Sequence, residues 1–172
     1  MRIKKSPTAD TRSCDCTKVS ETELFKSSML HIGDVRQALG WFGEQLSTSG
    51  MRHDFDKVSE EGGSCFHKCF AGGFSDRSWL ENHYKVSRHH LNQETGVPDD
   101  VDLIDVLEHV ADCVMAGMAR SGDVFPIELP SELLQKAVAN TVRKLQAEIK
   151  VVDSGVSSKP LPPGRRGVSR EG

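Results

Sequence analysis

Apolar residues between positions 20 and 152 recur every three or four residues, which is the spacing of one face of an α-helix. The S-x-x-E sequence at residues 20–23 has the form of a capping box, a common start of a helix. The Ser-Thr-Ser-Gly run at residues 47–50 is expected to end that first helix. The spacing predicts five main helices: from the capping box to about residue 46, from about 51 to 62, over 79–91, from 98 to about 121, and over 131–149.

No segment alternates apolar and polar residues for long enough to form a sheet, so the pattern predicts an all-α fold. The ends of the chain differ from the helical part, residues 20–152. Residues 1–19 are polar, and residues 153–172 are rich in Gly, Pro, Ser and Arg. Both ends are expected to be irregular tails, because neither can build a core, and a protein partner is expected to bind through them.

Composition narrows the classes of partner. The chain has 172 residues, which suits one core, and its formal net charge of -3 gives no strong signal for nucleic acid. No stretch reaches the roughly 18 apolar residues of a membrane span, and no secretory signal follows the first residues. These features predict a cytoplasmic protein with no membrane partner, and they leave the oligomeric state open.

His31 lies on the apolar stripe of the first predicted helix, in register with Val35, Leu39 and Leu46. Residues spaced four, eight and fifteen positions apart return close to one face of a helix, so His31 is expected to point inward. A metal ion with a carboxylate behind the ring would satisfy both nitrogens of a buried imidazole. The alternative is a core histidine that is bonded to a backbone carbonyl.

His53 and Asp54 are adjacent, and Lys57 follows one turn later. A short imidazole and a short carboxylate can both reach an ion that lies between them, although adjacent helical residues diverge by about 100°. The Lys57 ammonium would then lie where a phosphate bound to the same ion could meet it. The alternative is that Asp54, Asp56 and Lys57 form a solvated helix face.

Asp105, Glu108 and Asp112 have the i, i+3, i+7 spacing that places three carboxylates on one side of the fourth predicted helix. Carboxylates this close repel one another unless a cation or an arginine lies among them. Hard or borderline cations are bound well by carboxylate together with imidazole. An ordinary acidic surface is the alternative.

The segment from Trp79 to His90 holds three imidazoles, those of His83, His89 and His90, and the guanidinium of Arg88. Some of these groups can bind a metal or donate to phosphate oxygens. The two remaining histidines, His67 and His109, have no comparable neighbours in the sequence and are interpreted as surface residues.

The cysteines offer a rival metal site. Cys14 and Cys16, together with Cys65, His67 and Cys69, bear ligand types that suit structural zinc. Their spacings depart from the common C-x-x-C knuckle, which weakens this interpretation.

Taken in order, the polar residues resemble the pattern of a phage-associated family, domain-of-unknown-function family 5662. The residues that carry the resemblance lie within 29–118: His31, His53 and Asp54 with Lys57, Trp79 with His83, His89 and His90, and Asp105, Glu108 and Asp112. Members of that family are similar in outline to the HD superfamily of metal-dependent phosphohydrolases. The interval between His31 and His53 is shorter than in that superfamily.

The resemblance implies a compact HD-like helical bundle with one metal site. The ligands it implies are His31, His53, Asp54 and one carboxylate of the fourth helix, with Asp112 favoured over Asp105. The ion is expected to be divalent, and Mn, Mg, Co, Fe and Zn are all open.

The leading hypothesis is a metal-dependent phosphohydrolase, either a phosphomonoesterase or a phosphodiesterase, that acts on a nucleotide-like substrate. The metal would lower the pKa of a bound water and polarise the phosphoryl oxygen. The side chains expected to assist are Lys57 with His83, Arg88 or His90, which would neutralise charge, and Asp105 or Glu108, which would orient a water or a ligand imidazole.

Two other functions remain open at this point. One is a phage accessory or virion protein that uses the helical scaffold for binding, in the host cytoplasm or in the virion. The other is a nucleotide pyrophosphohydrolase that uses Glu108 and Asp112 on magnesium, although the chain lacks the second E-x-x-E pair which such enzymes need. Walker, dinucleotide-binding and serine-hydrolase motifs are absent from the sequence.

Overall fold

Helices dominate the computed structural model, which describes residues 1–6, 8, 15–92 and 96–153. The elements in chain order are strand β1 (Arg2–Lys4), a 3₁₀ turn (Cys16–Lys18), helices α1 (Glu21–Arg52), α2 (Phe55–Val58), α3 (Glu60–Ala71), α4 (Ser78–Val86), α5 (Leu103–Arg120) and α6 (Ser131–Ala147), and strand β2 (Lys150–Val152). The predicted all-α fold with five main helices is confirmed, with α2 as an additional single turn. Nearly all of the predicted C-terminal tail, residues 154–172, lies outside the described residues.

The two strands join the start of the chain to the end of α6. They pair in parallel, with Arg2 opposite Lys150 and Lys4 opposite Val152. The N-terminal ammonium also donates to the carbonyl of Glu148 at 2.6 Å. Residues 2–4, which the sequence placed in a tail, therefore belong to the folded body; a three-residue strand is too short to leave a periodic pattern.

Helix α1 begins where the capping box predicts. Glu23 N donates to Ser20 Oγ at 3.3 Å, and Ser20 N donates to a carboxylate oxygen of Glu23 at 3.0 Å. The helix does not end before residue 47 as expected but continues to Arg52. Thr48 Oγ1 donates to the carbonyl of Glu44 at 2.9 Å, and Ser49 Oγ donates to Glu108 of α5, so contacts within and beyond the helix stabilise a stretch of weak helix formers.

The most buried apolar residues lie between α5, α6 and the segment that leads into α5. Leu91, Val101 and Ala137 form this core. Asn140 Nδ2 donates to the carbonyl of Val101 at 2.7 Å, which ties α6 to the same segment. The C-terminal part of α1 packs on α5, and a cluster of histidine and carboxylate side chains lies at this contact. Among the described residues, no helix is both long enough and apolar enough to cross a membrane.

Candidate metal centre

Six imidazole and carboxylate side chains converge where the end of α1 meets α4 and α5. They form two groups in which one potential ligand atom from each residue lies within 4.8 Å of the others: His53, His89 and Asp112 in the first, and Asp54, His83 and His90 in the second. Only His53, Asp54 and Asp112 of the predicted metal ligands take part. His83 and His90, predicted to act on the phosphate, are also among these potential ligands.

The junction between α1 and α2 explains how two adjacent residues serve both groups. His53 leaves the helix with an extended backbone, and Asp54 follows in the left-handed conformation at φ 52°. Asp tolerates this conformation better than most residues, yet it remains a strained choice. The turn aims both side chains at the same region, which two successive residues of a continuous helix would not do.

In the first group the ring nitrogens of two histidines face a carboxylate. His53 Nε2 lies 3.6 Å from Asp112 Oδ1, and His89 Nε2 lies 3.8 Å from Asp112 Oδ2. Ligands held at about 2.0 to 2.2 Å from a tetrahedral ion are separated by roughly 3.4 Å. The spacing of the first group therefore fits an ion at its centre after only a small contraction.

In the second group His83 Nε2 lies 2.8 Å from His90 Nε2 and 3.4 Å from Asp54 Oδ1. Burial, followed by the neighbouring His89 and His83, lowers the pKa of His90 to about 3. Its imidazole is therefore neutral at physiological pH. The 2.8 Å separation of the two Nε2 atoms is that of a hydrogen bond, so binding one cation through both nitrogens would require this hydrogen bond to open.

Asp54 lies between the two groups. Its Oδ2 is 3.6 Å from His53 Nε2, while its Oδ1 is 3.6 Å from His89 Nε2 in addition to the His83 contact. Two buried atoms here, Asp54 Oδ1 and His89 Nε2, have no hydrogen-bond partner among the described residues. Buried polar atoms without a partner are costly, and they occur here at the position that a cation would occupy. The donor set therefore fits a divalent metal, with Asp54 placed to be shared by two ions.

Glu108 fixes the orientation of both histidines of the first group. Its Oε1 accepts a hydrogen bond from His53 Nδ1 and another from His89 Nδ1, each at 2.9 Å. Burial alone would raise the pKa of Glu108, but hydrogen bonds from His89, Ser49 and His53 outweigh it and lower this pKa to about 2. The ionised carboxylate thereby directs both Nε2 atoms toward the centre, as carboxylates behind metal-bound histidines do.

Asp56 performs the same role for His83. His83 Nδ1 donates to Asp56 Oδ2 at 2.8 Å, and the ring stacks on Trp79 with centroids 4.9 Å apart. His83 is almost fully buried, so these two contacts leave its Nε2 directed at Asp54 and His90. From the sequence, Asp56 was considered only as part of the alternative of a solvated helix face, and nothing in the sequence distinguishes it from an ordinary surface carboxylate.

Lys57 lies at the rim of the centre. Its ammonium donates to Asp54 Oδ2 and lies 5.8 Å from the centre of the Phe66 ring. Burial tends to raise the pKa of Asp54, but the hydrogen bond and the charge of Lys57 have the larger combined effect and lower it. Lys57 therefore pairs with Asp54, and its contact with a phosphate stays a prediction.

His31 does not join the centre. It is exposed on α1, the helix that ends next to His53, and it precedes His53 by twenty-two residues. At 1.5 Å per residue the two are about 33 Å apart, too far to bind one ion. The apolar stripe that predicted an inward direction for His31 is itself largely exposed along this part of α1: Leu24, Val35 and Leu39 are 50%, 43% and 62% exposed.

Asp105 also lies outside the centre, although it shares a helix face with Glu108. Arg88 Nε and Nη2 donate to its two oxygens at 2.8 Å each. Asp105 Oδ2 accepts from Asp102 N at 2.9 Å and so completes the cap of α5. The three carboxylates of α5 were expected to need a cation or an arginine among them. In the structure Arg88 pairs with Asp105, whereas Glu108 and Asp112 face the histidines.

The two remaining histidines differ from each other. His67 is exposed, as predicted, whereas His109 is buried and so corrects the surface interpretation. His109 Nδ1 donates to the carbonyl of His89 at 2.8 Å and holds the backbone of that ligand in place. His89 was one of three imidazoles in a short segment, and the sequence did not show that it would be a central member.

The cysteines are not part of either metal-binding group. Cys16 and Cys65 are exposed, and the buried Cys69 donates from Sγ to the carbonyl of Asp76 at 3.1 Å. Cys14 lies outside the described residues. Within the part of the chain that is described, the rival zinc site gains no support.

Comparison of the chain with protein-family models, with curated proteins and with solved structures gave no match. The resemblance to a phage-associated family therefore stays an expectation from the sequence. What the centre does has to be inferred from its geometry.

Proposed function

We propose that this chain is a metal-dependent phosphohydrolase that acts on a nucleotide-like phosphoester and holds two divalent ions on opposite sides of Asp54. The observation that carries the proposal is the pair of buried atoms without partners, Asp54 Oδ1 and His89 Nε2, at the meeting point of six potential ligands. A purely structural polar cluster would satisfy these atoms internally.

The donor set favours particular ions. Four imidazoles and two carboxylates suit Mn, Fe, Co or Zn better than Mg, which prefers oxygen ligands and retains several waters. When bound, such ions lower the pKa of a coordinated water and neutralise charge on the phosphoryl oxygens. Glu108 would keep the imidazoles of His53 and His89 oriented, and Asp56 would do the same for His83.

Lys57 supports a phosphorylated substrate. Its ammonium is the cation nearest to Asp54, and its side chain is about three-tenths exposed, so it can reach an anion that enters the centre. When metal ions take over the charge of Asp54, Lys57 is free to donate to a phosphoryl oxygen. Charge-assisted hydrogen bonds of this kind stabilise the charge that develops in phosphoryl transfer.

Two substitutions test the proposal. Asp54→Ala removes the shared ligand and should abolish both bound metal, measured by atomic spectroscopy, and hydrolysis of a panel of nucleoside monophosphates, nucleoside triphosphates and cyclic dinucleotides. Lys57→Ala should retain the metal and lower the rate by about 100-fold. Asp34→Ala, which changes a carboxylate elsewhere on α1, is the matched control and should change neither. Fully loaded protein that hydrolyses no member of the panel would contradict the proposal.

A second candidate function is favoured by the surface of α1. Phe25 and Leu39 are 66% and 62% exposed, which is unusual for large apolar residues on a helix of this length. A phage accessory or virion protein that binds a partner through such a surface would use the metal only for stability. In that case Asp54→Ala would lower stability, Lys57→Ala would be silent, and the loaded protein would hydrolyse nothing.

A further inference from the structure

Two cavities flank the metal centre. One, of about 300 Å³, is lined by Asp54 and His89, and the other, of about 320 Å³, is lined by His53 and Asp112. Ser49 and Glu108 line both cavities, and their hydrogen bond lies between them. A phosphorus atom held at the centre would therefore have space on two sides.

The first, which we call the polar cavity, is lined by Gln45, Thr48 and Arg52 next to Asp54 and His89. Two other cations in its wall are already neutralised: Arg88 binds Asp100 and Asp105, and Lys144 binds Asp100 and Asp102. Arg52 forms no ion pair with any described residue, and it immediately precedes His53. The polar cavity thus offers one uncommitted guanidinium and several hydrogen-bonding side chains.

The second, which we call the apolar groove, runs between α1 and α5. Apart from the ligands and Ser49, Gly50 and Glu108, its lining is aliphatic: Leu46, Leu107, Ala111 and Met115. A cavity of roughly 150 Å³ is sufficient for benzene, so the groove has room for a flat ring. His53 and Asp112 form its polar end, which places any group bound in the groove next to the centre.

We infer that the substrate is a phosphodiester with two unlike ester groups, a hydrophilic one in the polar cavity and a flat apolar one in the apolar groove. This inference rests on the proposed function and selects the diester from the two substrate types that function allows. A phosphomonoester has a single ester group and would leave one cavity unused. In the reaction a water oxygen bonds to phosphorus, one P–O ester bond breaks, and the water proton passes to the departing oxygen, which yields a monoester and an alcohol.

The decisive comparison uses two substrates with the same chromophore. Thymidine 5′-monophosphate p-nitrophenyl ester has one hydrophilic and one aromatic ester group, whereas p-nitrophenyl phosphate has only the aromatic one. With the manganese-loaded full chain, kcat/KM for the diester should exceed that for the monoester by about tenfold or more, because the second ester group adds binding in the polar cavity.

Variants assign each ester group to its cavity. Ala111→Trp fills the apolar groove and Met115→Glu places a charge in it; each should lower kcat/KM for the diester by about tenfold. Arg52→Gln should lower kcat/KM for the diester by a similar factor and leave kcat/KM for the monoester nearly unchanged. The matched controls are Ala116→Trp on the same helix and Arg36→Gln on α1, neither of which lines these cavities, and both should behave as wild type.

A binding measurement complements turnover. Thymidine 5′-phenylphosphonate, in which a P–C bond replaces the aryl ester, should bind the loaded protein in a calorimetric titration. Met115→Glu and Arg52→Gln should each raise its Kd by about tenfold. Metal content measured on every variant shows whether the centre is intact. Met115→Glu changes an exposed side chain, so it keeps the test decisive if Ala111→Trp fails to fold.

The outcomes separate the two proposals. If the loaded protein hydrolyses the monoester as fast as the diester, or if the cavity variants have no effect, the diester inference is overturned and the phosphohydrolase stands. If the loaded protein hydrolyses neither substrate, the proposed function fails and the inference fails with it.

Discussion

Two polar clusters flank the first half of α5, and they differ in whether all of their buried polar atoms have hydrogen-bond or ion-pair partners. The first, the salt-bridge network, joins Arg88 and Lys144 to Asp100, Asp102 and Asp105. Lys144 Nζ lies 2.7 Å from Asp102 Oδ2 and 3.1 Å from Asp100 Oδ2, while Arg88 binds Asp105 with two nitrogens. The carboxylate of Asp105 raises the pKa of Arg88, so that guanidinium stays charged. No side-chain N or O atom of this network is both buried and without a partner.

The metal centre uses the same kinds of atoms with the opposite result. Glu108 accepts from the outer nitrogens of His53 and His89, and Asp56 accepts from that of His83. Asp54 Oδ1 and His89 Nε2 remain buried without hydrogen-bond partners among the described residues. Each charged group of the network has an oppositely charged partner, and the pairs with Lys144 hold the segment before α5 against α6. In the candidate centre two inward-facing atoms are left unsatisfied, which is the condition expected of a site that binds a cation. The two clusters therefore differ in their unsatisfied buried atoms rather than in their density of charge.

Among the variants that test the difference between the two clusters, the largest effect is expected on metal affinity, from a change at Glu108. Glu108→Gln replaces the acceptor that orients His53 and His89, and it should weaken metal binding by about 10- to 100-fold without unfolding the protein. Metal titration monitored by calorimetry measures the change. Glu44→Gln on α1 is the control; equal metal affinity in both variants would show that the carboxylate behind the histidines is not needed.

An intermediate effect is expected in the salt-bridge network. Asp105→Asn removes the charge that Arg88 binds and should lower the free energy of unfolding by about 2 kcal/mol. For a chain of this length that is a fall in Tm of roughly 4 to 8 °C. Metal content should stay at the wild-type level, and the exposed Asp99→Asn is the control. Loss of metal from Asp105→Asn would contradict the separation of the two clusters.

The smallest effect concerns acid stability. Hydrogen bonds from Arg88 and then Lys144 lower the pKa of Asp100 to about 2 from its ordinary value of 3.8. This contribution is present above the ordinary pKa and is lost as the pH falls toward 2. Because the Asp100 side chain is 61% exposed, it amounts to about 0.5 kcal/mol.

The difference in free energy of unfolding between wild type and Asp100→Asn, measured at low salt, should therefore be present at pH 6 and vanish near pH 2. A difference that stays constant with pH would show that the pairing of Asp100 contributes no stability.

The sequence identified the helices because their signals are local. The capping box at Ser20 and the apolar spacing of α5 and α6 depend only on neighbours along the chain, and the structure contains those helices. Local signals also misplaced the end of α1: the run of weak helix formers at residues 47–50 is held in the helix partly by the contact of Ser49 with Glu108, fifty-nine residues later.

For the candidate metal centre, the sequence indicated which residue types could bind a metal but not which of these residues meet in space. His53, Asp54, Lys57, His83 and His90 were selected by residue type and spacing, and all of them meet at or beside the centre. His31 was selected by the same reasoning, since periodicity shows which residues share a face but not whether that face is covered. Most of α1 extends beyond the elements that pack on its last turns, so its stripe stays exposed.

Residue types and helical periods, then, are what the sequence by itself determined: an all-α chain with imidazoles and carboxylates in a particular order. Tertiary structure alone decided which of them meet. The left-handed turn at Asp54, the packing of α1 on α5, and the pairing of Asp105 with Arg88 all depend on contacts between residues distant in the chain. Through these contacts the carboxylates of α5 have different partners: Asp105 binds Arg88 in the salt-bridge network, whereas Glu108 binds histidines of the candidate metal centre, because the partner of each carboxylate is the cation or imidazole that the fold places beside it.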